Sequence, residues 1–136
     1  MGNSKDIVRE YIERVWNEGD VRALDELTTS TFTYTLGGNP KRNRGEMRQF
    51  IEMIRVAFPD WRVQIVAIVS EKDVVVVQWE GRVTHKGVFH GIPPTNRQIT
   101  VCGINIYHLK GDRIESEFEQ MDSLGMLRQL GMLPGT

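Results

Sequence analysis

The sequence predicts a single α+β domain over residues 1–136, a cone-shaped barrel in which N-terminal helices pack into one strongly curved, mostly antiparallel sheet. Three observations lead there. Apolar residues recur at helical spacing in the first 27 residues and again from Gly45 to Phe58. From Trp61 to Met121 the chain instead carries long β-branched runs divided by short turns. A length of 136 residues, 40% of them hydrophobic, suits one core and requires no linker.

Taken in order, Ser4 is a suitable N-cap for a first helix on which Ile7, Val8, Tyr11, Ile12, Val15 and Trp16 share a face, with Gly19 as its stop. Asp20 caps a short second helix, "VRALDEL", whose Val21, Leu24 and Leu27 lie one turn apart. The β-branched and aromatic stretch "TTSTFTYTL" is a first strand, ended by the turn Gly37-Gly38-Asn39-Pro40. Met47, Phe50, Ile51, Ile54 and Phe58 mark a longer third helix closed by Pro59. Four strands follow, "WRVQIVAIVS", "VVVVQWEGRVTHKGVF", "ITVCGINIYHL" and "RIESEFEQM", and the short turns between them argue for an antiparallel meander. The final "SLGMLRQLGML" is a short helix with Gly131 near its end and Pro134 beyond. A curved sheet wrapped around helices encloses a conical space, a natural ligand pocket.

Composition narrows the function. Seventeen basic against eighteen acidic residues give a net charge of −1, unlike a nucleic-acid binder, and the cluster Lys41, Arg42 and Arg44 reads as a solvated loop. Charges in "MGNSKDIVRE" break the apolar core a signal peptide needs, and no later run reaches membrane-spanning length, so a cytoplasmic protein without membrane contact is expected. The lone Cys102 lies in an apolar alternating run and reads as a small core residue. His85, His90 and His108 show no zinc-site spacing, and no metal is expected.

Several strings are recognisable. "WNEGDVRALDEL" resembles a helix-turn-helix signature shared across the nuclear transport factor two-like superfamily. Thr84-His85 followed by "GVFHGIPPTNRQIT", and then "GDRIESEFEQMDSLGMLRQLG", are similar to the corresponding runs of the SnoaL-like polyketide (ester) cyclases. That resemblance implies intramolecular aldol condensation of an aromatic polyketide methyl ester without metal or cofactor, with Asp122 as general acid/base and His85 at the family's histidine. The chain departs from the pattern where Glu117 stands for a frequent His, Phe118 for a frequent Trp, and His90 for an apolar residue.

The residues themselves carry a parallel reading. An aldol closure removes a proton from a carbon beside one carbonyl and delivers one to another carbonyl oxygen, and a single carboxyl pushed upward by burial can do both. Strict alternation puts Phe118, Gln120 and Asp122 on one strand face, which looks like a pocket wall, and Glu117, Glu119 and Met121 on a face that looks solvated. It also groups Trp79, Gly81, Val83 and His85, and on the next strand Val101, Gly103, Asn105 and Tyr107, as pocket lining. The two glycines suit a bend or a close backbone approach. Tyr34 is either a donor into the pocket or a core aromatic, and His90 either a pocket residue or part of the Pro93-Pro94 loop. Asp122 is equally placed to be the N-cap of the last helix, a role that opposes a raised pKa.

The expected function is therefore a cofactor-independent cyclase, or a related acid/base enzyme, acting on a small hydrophobic carbonyl compound. Asp122 and His85 are its expected catalytic residues, and Gln120, Phe118, Trp79, Asn105, Tyr34 and His90 its expected substrate contacts. The alternatives are an isomerase, dehydratase or epoxide-opening enzyme of the same fold, and a non-catalytic binding or dimerisation module. On the other sheet face Val74, Val76, Ile104 and Ile106 are left for a homodimer, as the resemblance also implies.

Overall fold

The computed structural model of the chain describes residues 3–133. Helix α1 (Ser4–Tyr11) begins at Asn3, whose side chain accepts the Asp6 N–H at 2.9 Å. The cap expected at Ser4 thus lies one residue earlier, where an amide side chain reaches the third helical N–H. Helix α1 continues into a π-helical turn, Ile12–Asn17, that buries Ile12, Val15, Trp16 and Asn17 together. Gly19 then reverses the chain with φ +69°. Asp20 accepts the Arg22 N–H and starts α2 (Arg22–Leu27).

Strand β1 (Thr28–Leu36) is followed by α3 (Arg44–Ala57), which opens with a capping box between Asn43 and Glu46. The rest is β2 (Val63–Glu71), β3 (Val74–Thr84), β4 (Gln98–Lys110), β5 (Arg113–Met121) and α4 (Ser123–Gln129). The five strands form one sheet in the order β1-β5-β4-β3-β2. β2 to β5 are the expected antiparallel meander, and β1 closes the edge parallel to β5. The helices fill the sheet's concave face, where Val75, Val77 and Val83 of β3 and Ile99, Val101 and Leu109 of β4 join the core with Val8, Met47, Ile51 and Ile54.

Strand β3 ends at Thr84, short of the run expected to Phe89, because the Asp60 carboxylate takes both the Thr84 N–H and its hydroxyl, each at 2.8 Å. The chain then leaves the sheet, and His90 adopts a left-handed conformation, φ +48°, in the following loop. Cys102 is exposed on the convex face and is not the core residue expected, since Val101 and Gly103 take the inward positions beside it. Pro134 lies outside the described residues. The strand glycines do mark close approaches: a Cβ at Gly81 would stand 2.3 Å from the Arg62 carbonyl oxygen, and one at Gly103 would stand 2.6 Å from that of Gln120.

The largest departure is in β5. His108 pairs with Ser116 and Leu109 with Ile114, so Glu115 is an extra residue in the ladder. Ile114 points inward, and a regular strand would send Ser116, Phe118 and Gln120 inward after it. The bulge reverses the parity, so Glu117 and Glu119 enter the core while Phe118 and Gln120 face out.

Asn17 ties the π-turn to the sheet edge, accepting the Val63 N–H at 2.8 Å and donating to its carbonyl at 3.0 Å. Asn17→Ala leaves both backbone groups unpaired in the interior. A stability loss of about 2 kcal/mol in denaturant unfolding is expected.

Candidate active site

A cavity of about 210 Å³ opens between α3, α4 and the end of β5. Phe50 and Ile54 of α3, Met126 and Leu127 of α4, Trp16 of the π-turn and Trp61 form its apolar walls, with His90 and Phe89 at one side. Glu119 is the only carboxyl among its lining residues. A narrow extension of about 10 Å³, room for about one water, runs past Trp16, Trp61 and Glu119 to Trp79, Asn105 and Tyr107.

Behind Glu119 lies Glu117, 1% exposed. Four donors converge on its carboxylate: the Tyr11 hydroxyl on Oε1 at 2.6 Å, and on Oε2 the Tyr107 hydroxyl at 2.7 Å, the Asn105 amide at 2.9 Å and the Trp16 indole at 3.0 Å. Tyr11 and Trp16 are five residues apart, and in a regular α-helix that spacing would point them about 140° away from each other. The π-turn's i→i+5 geometry brings such a pair toward one side, so both reach the same carboxyl. Asn105 is held in orientation by the Trp79 indole, which donates to its Oδ1 at 2.8 Å.

Glu119 is less well served. Tyr34 donates to its Oε1 at 2.9 Å and Asn105 at 3.3 Å, which leaves Oε2 for a proton and for the cavity. Burial raises the pKa of both carboxyls. At Glu117 the four donors oppose that rise, whereas at Glu119 the neighbouring Glu117 charge adds to it and the pKa is pushed up to about 8. The pair titrates as a unit, with Glu117 the better holder of charge and Glu119 the better holder of the proton. Tyr11, Tyr34 and Tyr107 are all pushed well above the ordinary tyrosine value, first by burial and then by these carboxylates, so they act as donors.

The residues singled out from sequence fall in different places. Trp79 and Asn105 line the inner extension, Tyr34 holds Glu119, and His90 borders the cavity while exposed. Phe118 and Gln120 lie on the convex face, opposite to the pocket wall read from alternation, for the bulge given above. Asp122 is exposed and borders a shallow convex groove with Cys102, Ile104 and Gln120. Its carboxylate caps α4, taking the Gly125 N–H at 2.8 Å. A Cβ on residue 125 would stand 2.2 Å from the Asp122 carboxylate, so the glycine makes room for the cap.

His85 is fully buried outside the cavity lining, its ring 5.5 Å from that of Phe58. Thr95 donates its N–H to Nδ1 at 3.2 Å, which assigns the proton of the neutral ring to Nε2. Glu117 and Glu119, expected from alternation on a solvated face, are instead the buried carboxyl pair beside the cavity. An acid repeated at i and i+2 beside tyrosines in the interior-facing β1 and β4 was the available signal. Among the described residues no group of three or more His, Cys, Asp or Glu side chains is placed to hold a metal ion, and no helix is long and apolar enough to cross a membrane.

Residues 6–130 match the model of the family described as SnoaL-like polyketide cyclase. Among solved structures, the chain is similar to a candidate polyketide cyclase from Acidithiobacillus ferrooxidans, at 29% identity and TM-score 0.82 over 94% of each chain. It is also similar to IdmH, a candidate polyketide cyclase from Streptomyces antibioticus, at 27% identity and TM-score 0.84, covering 96% of this chain and 99% of that one. A SnoaL-like protein from Jannaschia sp. CCS1 shares the fold at 20% identity and TM-score 0.88, over 96% of this chain and 93% of that one. No curated protein matches.

The raised Glu119 pKa sets a pH signature. The folded state holds a proton that the unfolded chain releases near its ordinary value of 4.5, so stability is greatest below that value and falls as pH rises through about 8. Glu119→Gln keeps the shape and removes the charge. Denaturant midpoints at pH 5 and pH 9 should differ markedly in the parent protein and much less in this variant.

Proposed function

We propose, because the chain belongs to the SnoaL-like polyketide cyclase family, that it is an acid/base enzyme in which Glu119 carries the proton of an aldol-type ring closure. The substrate class is a small hydrophobic polyketide-like carbonyl compound. The observation that carries the assignment is a single carboxyl in an apolar cavity with its pKa pushed up to about 8. Ionised Glu119 takes a proton from the carbon beside one carbonyl. The resulting enolate carbon bonds to the second carbonyl carbon, and the proton returns from Glu119 to the oxygen left there. No proton is gained or lost over the cycle.

Tyr34 orients the carboxyl through Oε1, and the Glu117 charge behind it keeps its proton affinity high. The fit of Asp122 to the family's aspartate is explained by its cap, which begins the helix whose Met126 and Leu127 wall the cavity. Epoxide opening would need a second carboxylate and an arginine converging on the first. Glu117 is a second carboxyl, but four donors occupy its oxygens, and the nearby Arg42 guanidinium lies 4.2 Å over the Phe50 ring.

We also propose that the chain pairs as a homodimer through the convex face. Val76, Ile106 and Phe118 stand in one row across β3, β4 and β5, and Ile104 is 49% exposed beside them.

Turnover of an aromatic polyketide ester should fall by about 10²-fold or more in Glu119→Gln, the usual scale for a lost acid/base group. Asp122→Asn retains a capping oxygen and should stay within a few-fold of the parent rate. The reverse pattern would return the role to Asp122. For assembly, Phe118→Glu should shift the molar mass measured by light scattering from dimer to monomer, and a parent protein already monomeric at micromolar concentration sinks the dimer.

A further inference from the structure

The chain has three tryptophans, and all three line the cavity or its inner extension. Two have spent their indole protons inside the protein, Trp16 on Glu117 and Trp79 on Asn105. Trp61 has not. The residue is 5% exposed, and its Nε1–H is buried with no hydrogen-bond partner among the described residues. Arg42 and His85 also carry an unpaired buried nitrogen, but neither lines the cavity, whereas Trp61 lines both the main space and the extension.

Trp61 is held firmly rather than left loose. Its ring lies 6.0 Å from Phe58, 6.3 Å from Trp16 and 6.4 Å from Trp79, and its carbonyl accepts from Arg55 at 3.3 Å. A rigid indole with an unpaired N–H in an apolar chamber is costly unless an acceptor arrives, because a buried donor left unmet forfeits its hydration. Glu119 offers Oε2 to the same space, since Oε1 is taken by Tyr34 and Asn105, and Asn39, His90 and Ser123 are the other polar residues of the lining.

We propose that Trp61 is a ligand-binding residue whose indole N–H donates to a carbonyl oxygen, fixing the oxygen-bearing end of the substrate inward beside Glu119. The inference rests on the cavity being the substrate site, as the proton-carrier reading also requires. Most of the remaining lining is apolar, so a ligand lacking an acceptor is held chiefly by burial. With the oxygen anchored, the carbon next to that carbonyl is the one brought up to the Glu119 carboxyl. Trp61 also faces the developing enolate oxygen, whose growing charge strengthens the same hydrogen bond.

The test uses 1-tetralone and its oxygen-free counterpart tetralin as probes of the whole protein. In nitrogen-15 NMR of the parent, the Trp61 indole signal should move downfield on adding tetralone and stay in place with tetralin. Trp61→Phe should weaken tetralone binding about 10-fold, one lost hydrogen bond, and change tetralin binding little. An indole spectrum that ignores tetralone, including through failure to bind, overturns the inference, as does equal weakening of both probes in Trp61→Phe. The parent spectrum decides the matter if that variant does not fold. The two readings fail separately: undiminished turnover in Glu119→Gln removes the proton carrier and leaves the indole shift standing, while a silent indole leaves the Glu119 result untouched.

Discussion

A carboxylate sealed from water has to be met by donors on every side, because an uncompensated buried charge costs several kcal/mol, about 3 to 5 when a partner is removed. At Glu117 that requirement organises the interior. Its donors come from α1, from the π-turn and from β4, so one side chain on β5 ties the N-terminal helix and the neighbouring strand to a common point. The π-turn is the local consequence: an α-helix satisfies its own backbone more evenly, yet it would turn Tyr11 and Trp16 apart. Packing of three aromatic rings and Asn105 around the charge then leaves little freedom for any of them.

The same arrangement divides the labour between two adjacent acids. Of the four donors that stabilise the Glu117 charge only Asn105 also reaches Glu119, at the longer distance of 3.3 Å, and the charge they stabilise repels a second one. Glu119 therefore keeps its proton into the neutral range without any special group of its own. Its position on the cavity side of the pair makes that proton accessible, while Tyr34 and Asn105 stop the carboxyl from turning away. The cost falls on stability at high pH, and it is concentrated at the place where a movable proton is useful.

Periodicity made most of the fold legible. Helix α3, the four-strand meander and the helical N-terminus all follow from apolar spacing, since burial is what that spacing records. The inward set Trp79, Val83, Val101 and Tyr107 follows from alternation in β3 and β4, whose ladder runs without a shift. β5 failed the same treatment. One extra residue at Glu115 inverts every later side chain, and nothing in "RIESEFEQM" distinguishes the bulged register from the regular one. Hydropathy then misled in the same direction, because two glutamates on a strand face ordinarily mean solvent, and only the partners gathered from elsewhere in the chain make their burial tolerable.

Asp122 shows how a shared string and a shared role can separate. Its carboxylate, the Gly125 N–H it takes, and the absent Cβ that leaves room for it form one capping device. That device starts α4 at the rim of the cavity, and Gln129 pins the helix's other end by bonding both backbone groups of Thr100, each at 2.8 Å. A helix capped at one end and fastened at the other presents Met126 and Leu127 to the cavity as a fixed wall. A capping oxygen at position 122 and the glycine three residues later therefore serve the start of α4, whichever residue carries the proton. With that requirement met on the outside of the sheet, the proposed acid/base role falls to the inside, to the cavity-lining carboxyl of Glu119, three residues earlier on the bulge-inverted strand.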